Sequence, residues 1–304
     1  MTKLLRLARP HFLIAGISLF LFGACWAVLN GSPLSLPRLI LGYLIVFPGH
    51  LSISFSNDYF DVLVDSFGDP TLFSGGSGIL VKYPHLRRPA RRIAIGLILC
   101  SLALAILYVL EFSAPFWFLA YVLTADLLGW FYAAPPLRLA YRKLGEVTNV
   151  FASGLLIPGM GYLVMHGSID ANGLLFIVPL MLYGLAFIIS VEIPDLEMDL
   201  QGHKSTLVSR LGRPAGFIIV GLSLFLASVF FFSFRWLNSH SYPVDFYILG
   251  LLSLLPLAFG ILGAVRRPLD RLPATPIVNA TILSIAIYFI LTDTYLIILA
   301  ANRR

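Results

Sequence analysis

Charge is what this sequence has least of. Aspartate, glutamate, lysine and arginine make up 12% of its 304 residues, about half the share usual in a soluble globular protein. So few charges cannot cover a water-exposed exterior. With 59% of residues hydrophobic, lipid is the better solvent. Cysteine is nearly absent. Cys25 and Cys100 are the whole supply, which excludes a disulfide framework and a cysteine-rich zinc site. Both fall in apolar segments and read as packed thiols. The histidines His11, His50, His85, His166, His203 and His240 are scattered and form no metal-ligand constellation. No linker, composition shift or low-complexity tract divides the chain, so residues 1–304 read as one domain.

What is abundant is uninterrupted apolar length. Windows long enough to cross a bilayer occur at residues 11–29, 38–57, 91–110, 114–132, 147–166, 173–193, 215–236, 246–265 and 276–300. The expected fold is an all-α integral membrane protein, a nine-transmembrane-helix bundle. The first window lacks a small-residue cleavage site and runs on into the next, so it reads as a span and not as a signal peptide. Nine spans put Lys3, Arg6, Arg9, Lys82, Arg87, Arg88, Arg91, Arg92, Arg138, Arg142, Lys143, Lys204, Arg210, Arg213, Arg266, Arg267 and Arg271 on one side, 17 of the 21 basic residues. Arg38, Arg235, Arg303 and Arg304 fall on the other. The positive-inside rule makes the rich side cytoplasmic. Topology and anionic headgroups account for the net charge of +6, and no nucleic-acid partner is required.

The scarce acidic residues are clustered. Asn57-Asp58-Tyr59-Phe60-Asp61-Val62-Leu63-Val64-Asp65 closes the second window, and Glu192-Ile193-Pro194-Asp195-Leu196-Glu197-Met198-Asp199 closes the sixth. With Asp69 they hold 8 of the 15 acidic residues. Asp58, Asp61 and Asp65 are spaced i, i+3, i+7, and so are Glu192, Asp195 and Asp199, which places each trio on one helical face. Like charges stacked near a low-dielectric medium repel strongly, and the pattern points to a cation between them. Mg²⁺ suits an all-oxygen donor set and commonly bridges carboxylates to substrate phosphates. The absence of His and Cys from both trios disfavours a softer metal.

Both clusters precede long polar stretches, about 58–90 and 194–214, read as cytoplasmic loops capping a site. The repetition four spans apart suggests an internal duplication. Lys82, Arg87, Arg88, Arg138, Arg142, Lys143 and Lys204 are candidate phosphate clamps, although the same residues also serve as topology signals. Ser74-Gly75-Gly76-Ser77-Gly78 can present backbone N–H groups to an anion. Asp126 and Asp293 lie inside spans, where a carboxylate is a functional candidate by default. These residues alone leave three readings open: a membrane enzyme handling diphosphates, a secondary transporter with a carboxylate-lined cation site, and a lipid-binding scaffold. Carboxylates at helix ends favour chemistry at a membrane face, since transporter sites usually lie near the midplane.

The motifs resemble those of the UbiA superfamily of intramembrane prenyltransferases. Asn57 through Asp65 fits NDxxDxxxD in every specified position, and Asp195 to Asp199 fits DxxxD. The helix count and the placement after helices two and six agree. The family's YxxxK signature is not matched strictly; Tyr132-Ala133-Ala134-Pro135-Pro136-Leu137-Arg138 is similar to a YxxPPxR/K variant. The resemblance implies Mg²⁺-dependent transfer of a prenyl group from a polyprenyl diphosphate, through an allylic carbocation, to an acceptor that is usually aromatic. It implies Asp58, Asp61, Asp65, Asp195 and Asp199 as Mg²⁺ ligands, with Asp61, Asp65, Asp195 and Asp199 catalytic. Asn57, Lys82, Arg87, Tyr132, Arg138, Arg142 and Lys204 would bind substrate. Ser74–Gly78 and Tyr132–Val147 look most similar to the menaquinone branch, which prenylates 1,4-dihydroxy-2-naphthoate.

Overall fold

Inside a bilayer no water is available to satisfy backbone N–H and C=O groups, so a spanning chain must close its hydrogen bonds within each segment, as a helix does. The computed structural model describes residues 2–238 and 242–302; His240, Arg303 and Arg304 lie outside them. Among the described residues every regular element is helical. The long helices are α1 (His11–Leu29), α2 (Leu36–Phe60), α3 (Arg87–Phe112), α4 (Trp117–Ala133), α5 (Gly145–His166), α6 (Ile177–Gln201), α7 (Arg213–Asn238), α8 (Phe246–Arg266) and α9 (Arg271–Ala301). Eight of the apolar stretches they form are long enough to cross a membrane. The ninth expected span, 114–132, is α4, with only 17 residues. The segment expected as one span over 147–166 contains a π-helical stretch, Ala152–Leu156.

Both segments expected as long loops carry helix. Short helices form at Val62–Asp65 and Ile79–Lys82. In the other, α6 continues through Pro194 to Gln201, and a five-residue helix follows at Leu207–Leu211. Proline removes a ladder bond and usually ends a helix. Here Arg213 braces the turn after it, donating from Nε to the Ile193 carbonyl (2.9 Å) and from Nη1 to Glu197 Oε1 (2.6 Å). Cys25 packs against the core as expected, but Cys100 stands exposed on α3.

Small residues set the closest contact. A Cβ on Gly23 of α1 would lie 1.8 Å from the Pro158 carbonyl oxygen, and one on Gly161 of α5 would lie 1.9 Å from the Phe20 carbonyl oxygen. Glycine lets the two backbones touch, which is how helices gain packing energy in lipid. At the same end of the bundle Trp26 and Phe22 pack edge-on to Phe176, with centroids at 4.5 and 5.0 Å. Toward the opposite end the helices enclose a cavity of about 400 Å³, walled by α1, α2, α4, α5, α6 and α9.

Replacing Gly161 by alanine should lower stability by at least about 2 kcal/mol through overpacking. Gly96, which has nothing within 4 Å of a built Cβ, is the control. Thermal unfolding in detergent should show a clear drop for Gly161→Ala and none for Gly96→Ala.

Candidate active site

The first acidic trio does not ride on one uninterrupted helix. α2 ends at Phe60, Asp61 takes φ −93° and ψ 6°, and a new helical turn runs from Val62 to Asp65. The kink spreads the trio and gives each carboxylate its own surroundings. Asp58 Oδ2 accepts from the Ser77 N–H (3.1 Å) and from the Ser77 hydroxyl, while Oδ1 lies 3.9 Å from Arg9 Nη1. Asp61 accepts from the Tyr141 hydroxyl at Oδ1 and from Lys204 Nζ at Oδ2, both at 2.7 Å. Asp65 faces Gly76, where a Cβ would sit 2.1 Å from Oδ2. Gly76 also has φ +64°, a conformation that glycine adopts without steric cost. Burial, and then the charges of Asp58 and Asp61, push the Asp65 carboxyl up to about 8.

The second trio does share one helix, α6. Asp195 Oδ2 accepts from the Gly75 N–H at 3.0 Å, and its Oδ1 is buried without a hydrogen bond. Asp199 accepts from the Thr206 hydroxyl at 3.3 Å, and its carbonyl accepts from the Lys204 N–H at 2.8 Å. Burial alone would lower the Lys204 ammonium, but Asp61 and Asp199 beside it hold it well above the ordinary lysine range. The glycine-rich segment therefore crosses between the faces: Gly75 bonds the second and Ser77 the first. The N–H groups of Gly75 and Ser77, expected to cradle an anion, are directed at carboxylates.

Of the residues expected at the site, Asn57, Asp58, Asp61, Asp65, Tyr132, Asp195, Asp199 and Lys204 line the cavity. Lys82, Arg87, Arg138 and Arg142 are exposed and do not. Arg138 acts one step back, its guanidinium 3.7 Å from the centre of the Tyr141 ring. Arg87 stands 5.8 Å over Tyr59. Asp126 and Asp293 lie outside the cavity wall; Asp293 takes a hydrogen bond from Ser18 and ties α9 to α1.

Three further contributors carry no assigned role in the sequence: Arg9, Tyr141 and Glu146. Buried Glu146 accepts the Leu207 N–H and so anchors the helix that follows Lys204. Tyr141 and Glu146 have a local signal, their place within the Tyr132–Val147 stretch; Arg9 has none beyond its charge. Among the described residues no three His, Cys, Asp or Glu groups converge closely enough to cage an ion by themselves.

Residues 17–285 match the UbiA prenyltransferase family. The chain belongs to this family. It is a prenyltransferase, and the transporter and scaffold readings fall away. A UbiA homologue from Archaeoglobus fulgidus bound to GPP and Mg²⁺ shares the fold with a TM-score of 0.64 at 19% identity, covering 96% of this chain and 99% of that one. The UbiA homologue from Aeropyrum pernix K1 gives 0.64 at 17% identity, covering 91% and 97%. Among curated proteins, 1,4-dihydroxy-2-naphthoate octaprenyltransferase of Bacillus subtilis (strain 168) is 24% identical over 225 residues, 74% of this chain and 70% of that protein.

Alanine at Gly76 would collide with Asp65 and strain the backbone. A displacement of about 1 Å at a reacting centre can cost about 100-fold in rate. Gly76→Ala should therefore lose prenyl transfer on that scale while its thermal unfolding stays near that of the parent chain.

Proposed function

We propose that the chain transfers a prenyl group from a polyprenyl diphosphate to an aromatic acceptor of the 1,4-dihydroxy-2-naphthoate type. One observation carries this reading: two carboxylate faces, laced together by Gly75 and Ser77, stand at the mouth of a largely apolar cavity. The solved homologue bound to GPP and Mg²⁺ and the naphthoate-prenylating relative support it.

The donor set fits Mg²⁺. All its atoms are hard oxygens, and Asn57 Oδ1 and Asp195 Oδ1 are buried without hydrogen bonds. Mg²⁺ keeps several waters and takes one or two carboxylates plus phosphate oxygens, so an open set of carboxylates suits it better than a tight cage. Asp58, Asp61, Asp65, Asp195 and Asp199 would hold it, with Asn57 in support; when bound it supplies the positive charge that stabilises a departing diphosphate. Lys204, fixed on Asp61, adds a cation at the same mouth. The prenyl tail lies among apolar side chains such as Leu19, Leu180 and Ile285. As the C–O bond ionises, the aromatic rings of Tyr132, Tyr183 and Phe289 along the wall stabilise the allylic cation. The Ser74–Ser77 and Lys204–Thr206 segments cover the carboxylates and keep water from that cation. The site shares its end of the bundle with most of the basic residues, and the positive-inside rule supports a cytoplasmic position for it.

Purified protein supplied with a polyprenyl diphosphate, Mg²⁺ and 1,4-dihydroxy-2-naphthoate should form a prenylated naphthalene product visible by mass spectrometry. Asp61→Ala and Asp195→Ala should each lose at least about 100-fold in kcat; full activity in both variants would refute the assignment. Removing divalent ions with EDTA should abolish turnover, and added Mg²⁺ should restore it.

A further inference from the structure

Apart from the carboxylates, the charged groups that line the cavity are few. Of the lysines and arginines among the described residues, Lys204 and Arg9 reach the wall. Lys204 is committed, 2.7 Å from Asp61 and held between Asp61 and Asp199. Arg9 is not. Its guanidinium lies over the Phe12 ring at 4.4 Å, its ion pair with Asp58 is loose at 3.9 Å, and its one hydrogen bond is a long one of 3.4 Å to the Phe73 carbonyl. A guanidinium carries five N–H donors in a fork suited to a carboxylate, so most of the capacity of Arg9 is unspent. Arg9 also sits at φ +47°, in a left-handed region that non-glycine residues seldom occupy. Such backbone strain clusters at ligand-binding positions.

The wall around Arg9 is aromatic. His11 meets Phe73 edge-on at 5.6 Å, Phe12 meets Phe73 at 6.2 Å, and Phe12 meets Phe187 at 6.0 Å. These four rings all line the cavity. His11 Nε2 is buried and has no hydrogen-bond partner, and an unpartnered buried polar atom calls for an explanation. A fork of unspent cationic donors, an aromatic stretch of cavity wall and a lone imidazole nitrogen form a complementary set. They match a flat aromatic ring that bears a carboxylate and a hydroxyl.

We infer that Arg9, His11, Phe12 and Phe73 form the acceptor subsite, and that it selects aromatic acceptors carrying a carboxylate. The inference rests on the prenyl-transfer reading above. Arg9, carried on the Phe12 ring, pairs with the acceptor carboxylate, Phe73 borders the acceptor ring, and His11 Nε2 bonds its hydroxyl. The subsite adjoins Asp58, so the acceptor ring comes to rest beside the donor's diphosphate end. Anionic carboxylates crowd the rest of the mouth, and Arg9 is where a negatively charged acceptor meets attraction instead of repulsion.

The experiment compares two acceptors, 1,4-dihydroxy-2-naphthoate and 1,4-naphthalenediol, which lacks the carboxylate. Both are assayed with purified full-length enzyme, Mg²⁺ and a polyprenyl diphosphate. The wild type should prefer the carboxylated ring. Arg9→Gln should raise the KM for the naphthoate at least about tenfold, the loss of a charged hydrogen bond, with the donor KM moved by no more than about twofold. Its preference for the naphthoate over the diol should vanish, and Arg9→Lys should recover part of it. A rise in donor KM with the acceptor KM unchanged would assign Arg9 to the diphosphate and overturn the inference. So would a wild type that uses both acceptors equally well, a measurement that does not depend on the variants folding. A wild type that prenylates neither acceptor would instead refute the function on which the inference rests.

Discussion

Carboxylates brought together at the edge of a low-dielectric slab repel one another, and the rest of the site is arranged around that constraint. Each receives help from a different part of the chain. Ser77 reaches Asp58, Tyr141 and Lys204 reach Asp61, Gly75 reaches Asp195, and Thr206 reaches Asp199. These donors come from the segments after α2, α4 and α6. The electrostatic need therefore fastens three connections over one end of the bundle, where helix packing alone would leave them untethered. The same interactions fix the approach of the two acidic faces, because Lys204 bonds one through its side chain and the other through its backbone.

The cavity behind the carboxylates follows from how α1 and α5 meet. Glycine lets them touch at Gly23 and Gly161. On the carboxylate side of that contact, Leu19 and Ile157 already line open space. Close contact at one end and separation at the other leave a wedge-shaped apolar chamber. The aromatic packing of Trp26, Phe22 and Phe176 fills its narrow end.

The helices and the acidic motifs were legible because each is a local pattern: apolar length in one case, i, i+3, i+7 spacing in the other. The limits of that legibility were also local. Asp58, Asp61 and Asp65 have helical spacing, yet the chain kinks at Asp61. Pro194 reads as a stop, yet Arg213, nineteen positions on, braces the helix through it. The partners of the carboxylates could not be read at all. Tyr141 and Asp61 are 80 positions apart, and Lys204 and Asp61 are 143 apart; no spacing rule spans such distances. Basic residues were the most ambiguous class, since charge placed for topology and charge placed for binding look alike in sequence. Lys204 and Arg9 reach the cavity, whereas Lys82, Arg87 and Arg142 stay in solvent.

The length of α4 has a consequence outside the protein. At 17 residues it rises about 26 Å, against a hydrocarbon core of about 30 Å. Its neighbours α2 and α3 run to 25 and 26 residues. A helix this short is met by local thinning of the bilayer or by snorkelling of its flanking residues, at a cost of a fraction of a kcal/mol for each ångström of mismatch. Where the bilayer thins, the headgroup layer comes down to the end of α4, where Tyr132 faces the cavity and the connection carrying Tyr141 begins. Bilayer thickness thereby becomes a physical variable acting on the side of the site that supports Asp61.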